Sequence, residues 1–366
     1  MLQVNVLETT NTQLEPWSHS RLTDLNTCEV WGMVRGAYRK TFPTSGRSMA
    51  LEAGSAAHEA FAAFRLYNLL ANGLDDHFAF HTRRVFGQEK GAALVAKVRK
   101  SSDEHLNMMS FAIDALHMSG FYDDPMDKRR TMSNIEEALY AYGRSVAFKQ
   151  NPVWVQDKSN PECLVGIELP FDFTLQVLHT ETDAFDGEEY QAAAHLIRYI
   201  GTIDAVHINK KGNPYIEENK TASRLGDGWA ASFETSHQVT GYCVMGSKLL
   251  GLPISDALIH GVSLPQPRKA TTYTEGVRSE YVSRSDDQKQ KFFQWVYNTF
   301  QKRIRIGDDI ELATQETHSC NRYFQACSLI PFCNSGGAEE RQAMLGEMTT
   351  LELSPSEQAV MEKTGD

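Results

Sequence analysis

The chain has 366 residues, 41% of them hydrophobic and 23% charged, so it can bury a sizeable core as one large domain or two. A formal net charge of −11 argues against broad attraction to a polyanion but leaves room for a local basic groove. The opening MLQVNVLETTNTQLEPW lacks a basic stretch followed by an apolar run, and nowhere do about eighteen apolar residues stand together, so the expectation is an intracellular protein without a membrane partner.

In chain order, LEAGSAAHEAFAAFRLYNLLANG (51–73) sets Ala, Leu and Phe at helical spacing and ends at Gly73, which predicts a helix carrying His58. Residues 90–150 also read as helices, an insertion over about 90–160. From Cys163 the pattern turns β-branched and apolar: CLVGIELPFDFTLQVLHT, then HLIRYIGTIDAVHINKKGNPYIEENKT broken at Gly-Asn-Pro, then ISDALIHGVSLP. These are expected to be strands of one sheet. WAASFETSHQVTGYCVMGSKLLG (229–251) reads as one helix stopped by Gly251, DDQKQKFFQWVYNTFQKRI as a later one, and 337–366 as a polar tail or helix.

Two groups of residues carry chemistry. In YIEENKTAS, Glu218 and Lys220 stand two apart, so an extended strand presents a carboxylate and an ammonium on one face. Such a pair on an exposed strand is ordinarily a solvated face. Asp204 in GTIDAVHI lies one strand upstream, and Gln238 and Tyr242 lie one helical turn apart downstream. Hydrolysing a phosphodiester needs an activated water and neutralisation of charge on the phosphate. Asp204, Glu218 and the backbone carbonyl of Asn219 would suit Mg²⁺; His58 would add a nitrogen that suits Mn²⁺. Lys220 would position the water or stabilise the transition state, and Glu168 would be a further acid or merely a strand-edge charge. The second group is Cys320, Cys327 and Cys333, crowded where a reducing compartment favours ligation over disulfides. Four thiolates suit either a 4Fe–4S cluster or a structural Zn²⁺.

GSAAHEAF with His58, GTID with Asp204, EENKT with Glu218, Lys220 and Thr221, and QVTGY with Gln238 and Tyr242 together resemble the PD-(D/E)xK nuclease superfamily, in its RecB-type and Cas4-like exonuclease branch. SHSRLTDLNTC and the C-terminal cysteines resemble its iron–sulfur members, which implies Cys28 as fourth ligand beside Cys320, Cys327 and Cys333. The resemblance implies an α/β restriction-endonuclease-like core, a central mixed sheet flanked by helices. It implies a single nuclease domain over 1–336, its ends at 18–40 and 318–334 clasped by the cluster. The implied activity is a Mg²⁺- or Mn²⁺-dependent DNA exonuclease of recombination, repair or phage replication, cytoplasmic in a bacterial or phage-infected cell. It would act on single-stranded DNA or a free end, with a helicase or recombination protein as partner, since no G-x-x-x-x-G-K-[ST] motif is present. Candidate phosphate contacts are Arg35, Arg39, Lys40, Arg83, Arg84, Lys128, Arg129, Arg130, Arg268 and Lys269, each equally compatible with a solvated surface. Competing expectations are a nuclease-like DNA-binding or scaffolding subunit without turnover and a zinc-stabilised interaction protein.

Overall fold

A computed structural model describes residues 2–42, 49–98, 103–182, 189–264, 276–322 and 325–351. The chain divides into two compact units, one of 1–47, 170–202 and 286–366, the other of 48–169 and 203–285. Among the described residues, no helix is long and apolar enough to cross a membrane.

The unit of 48–169 and 203–285 is built on the helix Met49–Ala71. Its alanines Ala53, Ala56, Ala57, Ala60 and Ala63 are buried, and small side chains let the helices Asp75–Phe86 and Glu104–His117 approach. The helix stops where the sequence predicts. Gly73 adopts φ 75°, and the Leu74 N–H donates to the Leu69 carbonyl at 3.0 Å, a left-handed cap that glycine enters without steric cost. Further helices Gln88–Lys97 and Met132–Ser145 complete the helical part, and Phe61, Phe64 and Tyr142 form an aromatic cluster in its core.

Against these helices lies mixed pairing of strands. The end of Glu189–Ile208 runs antiparallel to Pro214–Ala222, which pairs parallel with Asp256–Ser263, itself antiparallel to Val277–Ser283. The turn at Gly-Asn-Pro is tied by Asn209, whose side chain accepts from the Lys211 and Asn213 amides, with Gly212 at φ 83°. The expected single helix 229–251 is interrupted. A short helix Asp227–Ala231 precedes His237–Leu250, because Ser236 takes an extended conformation and its hydroxyl caps the Val239 N–H. Gly251 ends the second helix in the left-handed region, as its position predicts.

In the other unit, Leu2–Glu8 pairs antiparallel with the strand Ile167–Thr182 and Pro16–Ser18 pairs parallel with Glu189–Ile208. Buried Trp17 meets Phe300 of the helix Asp286–Ile306 edge-on at 6.3 Å. The helices His19–Thr27 and Glu29–Gly32 cross so tightly that a Cβ on Gly32 would lie 2.2 Å from the Leu25 Cα. Gly32→Ala is therefore expected to cost about 1–3 kcal/mol in urea unfolding, because the obstruction is backbone rather than a movable side-chain tip.

The expectation of a restriction-endonuclease-like core whose ends are joined by an iron–sulfur cluster is corrected. The structure supports a mixed α/β fold with mixed strand pairing and helices, and no clear restriction-endonuclease topology is evident among the described residues. Cys28, Cys320, Cys327 and Cys333 are free thiols, and no group of three or more His, Cys, Asp or Glu side chains able to hold a metal occurs among the described residues. That removes both the 4Fe–4S cluster and the alternative Zn²⁺. These thiols do sense one another. Burial, then the charges of Cys28, Cys327 and Cys320, pushes Cys333 up to about 11, and burial likewise raises Cys327, so both stay protonated near neutral pH. Within this unit the two ends of the chain meet through protein contacts instead. Glu29 accepts the Thr314 N–H at 2.7 Å and pairs with Arg305, Arg39 donates to the Leu351 carbonyl at 3.1 Å, and Lys40–Thr41 pairs with Thr349–Thr350.

Candidate active site

Three strand segments and one helix bring the acidic and basic residues together. Glu168 sits early in Ile167–Thr182, Asp204 near the end of Glu189–Ile208, and Glu218 and Lys220 in Pro214–Ala222. His58 projects from Met49–Ala71. Period-two alternation holds for Glu218 and Lys220: the Lys220 ammonium lies 2.5 Å from Glu218 Oε1. Asp204 Oδ2 accepts the Asn219 N–H at 3.0 Å and lies 3.7 Å from His58 Nδ1. Glu168 adopts φ 44°, a left-handed conformation costly for a side-chain-bearing residue, held as Arg84 donates to the Glu168 and Ile167 carbonyls.

Beneath them is a residue the sequence reading passed over. Arg65, fully buried, lies 3.2 Å from Glu168 Oε1, 3.5 Å from Asp204 Oδ2 and 3.3 Å from Glu217 Oε1. Glu217, also fully buried, accepts from Gln150 at 2.8 Å and from the Tyr142 hydroxyl at 3.3 Å, with His207 and His260 at 3.4 and 3.6 Å. A signal for Arg65 was present: it follows His58 by two helical turns and so shares its face.

Charge and burial set opposite proton affinities. Burial, reinforced by the Asp204 charge and opposed by Lys220, pushes the Glu218 carboxyl up to about 7. Burial and Asp204 raise Glu168 too, tempered by water because its side chain is 26% exposed. On Asp204, burial is outweighed by His58, Arg65 and Lys220, so it is held below the usual carboxylate range. Burial alone would lower Lys220; Glu218 and Asp204 reverse that and keep it charged. Burial lowers His58, leaving the imidazole neutral at neutral pH. The arrangement therefore combines an ionised acid, a fixed ammonium and a carboxyl poised to exchange a proton near pH 7.

The expected Mg²⁺ or Mn²⁺ shell of His58, Asp204, Glu218, the Asn219 carbonyl and Glu168 is corrected. Among the described residues, no set of three or more His, Cys, Asp or Glu side chains is arranged to hold a metal ion. Each acid is answered by an internal cation, Glu218 by Lys220 and both Asp204 and Glu168 by Arg65. Gln238 and Tyr242 do share a helix face, and the Gln238 amide donates to the Tyr242 hydroxyl at 2.9 Å.

The sequence matches no protein-family model and no curated protein. The resemblance to RecB-type and Cas4-like nucleases is thereby corrected, since neither the metal group nor the cysteine cluster that would carry it occurs among the described residues.

Several of the basic side chains named as phosphate contacts have protein partners. Arg35 stacks over Trp31 at 5.0 Å, Lys40 donates to Thr350 at 3.0 Å, and Arg130 pairs with Asp127 at 2.7 Å. Arg268 and Lys269 lie outside the described residues.

Proposed function

We propose that the site of Asp204, Glu218 and Lys220 hydrolyses phosphodiester bonds at DNA ends. The observation that carries this reading is the Glu218–Lys220 pair at 2.5 Å, with Asp204 ionised beside it. Lys220, kept charged, faces the negative charge that builds on a phosphoryl group in the transition state. Glu218, with its proton affinity near 7, takes a proton from the attacking water and returns one to the leaving oxygen. Neutral His58 accepts a hydrogen bond from water or substrate without adding charge.

End-labelled single- and double-stranded DNA and closed circular single strands, incubated with wild type and Glu218→Gln with and without a chelator, test the reading. Digestion of the end-bearing substrates by wild type alone is expected, with a rate that rises with pH and reaches half its maximum near 7, where Glu218 loses its proton. Retained DNA binding without digestion would leave a DNA-binding or scaffolding subunit. Cutting of closed circles would replace the end-directed activity with an endonuclease.

A further inference from the structure

We propose that Arg65 is the positioning residue of this site, fixing Asp204 and Glu168 in place by anchoring both to Glu217. The inference rests on the reading that the Asp204, Glu218 and Lys220 site is the reactive one. Arg65 is fully buried, so no substrate touches it.

The geometry is that of one planar fork serving three acids from three strand segments. Nη1 reaches Glu168 Oε1 and the Asp204 backbone carbonyl, each at 3.2 Å; Nη2 reaches Asp204 Oδ2 at 3.5 Å; Nε reaches Glu217 Oε1 at 3.3 Å. A guanidinium spreads its donors in a rigid plane, whereas an ammonium is a point charge on a flexible stem, so lysine can supply the charge but not all of these contacts together. With no cation here, Glu168 and Asp204 would repel each other, as the upward push of the Asp204 charge on Glu168 shows.

Glu217 is what holds the fork. Its Oε2 accepts from Gln150 at 3.0 Å and faces His207 and His260, and the second nitrogens of those histidines are tied in turn, His207 Nδ1 to the Asn151 carbonyl at 2.8 Å and His260 Nδ1 to Ser279 Oγ at 2.7 Å. Tyr142 and Gln150, from the helical part of the unit, close the other side. Residues far apart in sequence thus fix one carboxylate, that carboxylate fixes one guanidinium, and the guanidinium sets the spacing of two acids. A network of this kind, with Glu217 hydrogen-bonded by Arg65, Gln150 and Tyr142 and faced by His207 and His260 at 3.4 and 3.6 Å, transmits a displacement instead of absorbing it.

The test compares Arg65→Lys and Arg65→Met by steady-state kinetics on end-labelled DNA and by thermal unfolding, with Asp204→Asn and the double variant Arg65→Met/Asp204→Asn. Arg65→Met is expected to lower kcat on the order of 10²-fold with KM nearly unchanged, the effect of a misplaced reacting group. Arg65→Lys is expected to restore part of kcat. A filler of structure alone would lower the melting temperature without that kcat-specific loss or its partial rescue. The unfolding cycle reads the link with no reference to activity: the losses in melting temperature of Arg65→Met and Asp204→Asn should fall short of adding in the double variant. If Arg65→Met does not fold, Arg65→Gln takes its place in both arms. Additive losses, or a kcat equal to wild type in a folded Arg65 variant, overturn the proposal. Wild type inert on DNA with non-additive unfolding overturns the proposed reaction but keeps Arg65 as the tie between these acids.

Discussion

Lys220→Ala is expected to lower the rate of DNA digestion by about 10²–10³-fold, the usual loss when one preorganised partner of transition-state charge is removed. The Lys220 side chain is 31% exposed, so a phosphate can approach it, and it is kept charged by Glu218 and Asp204. Lys220→Arg keeps the charge and should recover part of the rate. Lys220→Ala should also carry a stability signature of definite sign. Glu218 is only 2% exposed, and burial already raises its pKa; without the neighbouring ammonium it rises further. A carboxyl with a raised native pKa binds its proton more tightly folded than unfolded, so its stabilising contribution is full below the unfolded value and drains as pH climbs toward the folded one. The deficit of Lys220→Ala relative to wild type should therefore be largest at about pH 8 and shrink toward about pH 5, read from urea midpoints. A digestion rate equal to wild type would remove Lys220 from the chemistry, whatever the unfolding data show.

The features legible in the sequence were those with a short period. Alternation put Glu218 and Lys220 on one face, and the structure gives that pair its 2.5 Å contact. Helical spacing and a terminal glycine bounded the His58 helix, because Gly73 and its carbonyl partners are local. What lay hidden was made by residues remote in sequence. Glu217 stands between two apolar or acidic neighbours and reads as a surface acid; only the approach of Tyr142 and Gln150 from the helical segment shows that it is buried. Arg65 shares the His58 face in the sequence pattern, but the three acids it meets come from strand segments remote in sequence. The cysteines misled differently. Their crowding in sequence is real, but Cys28, Cys320, Cys327 and Cys333 are free thiols and no group of three or more side chains able to hold a metal occurs among the described residues. The break at Ser236 was missed because periodicity continues across it, while the capping hydroxyl that starts the second helix is one residue in twenty-three.

Glu217→Gln is expected to cost about 3–5 kcal/mol of unfolding free energy at neutral pH, the range found when one partner of a buried charged group is removed and the other is left in place. Glutamine keeps the size and one acceptor, so cavity formation contributes little; what is lost is the negative charge facing Arg65, His207 and His260. The pH dependence separates this cause from loose packing. Burial raises the Glu217 carboxyl, but His207, His260 and Arg65 together outweigh it and hold it far below the ordinary carboxylate value. A depressed native pKa contributes stability in full above the unfolded value, about 4.3, and loses it as pH falls toward the folded one, because the unfolded chain takes up a proton that the native state refuses. Wild type should thus lose stability steeply below about pH 4, while Glu217→Gln, which has no such proton to refuse, should lose less over the same interval. Urea unfolding of both proteins at about pH 7 and about pH 3.5 measures the two gaps. A gap that narrows on acidification assigns the cost to charge; a gap of constant size would mean that Glu217 supports the strand by shape alone, and the fork of Arg65 would then have no electrostatic anchor behind it.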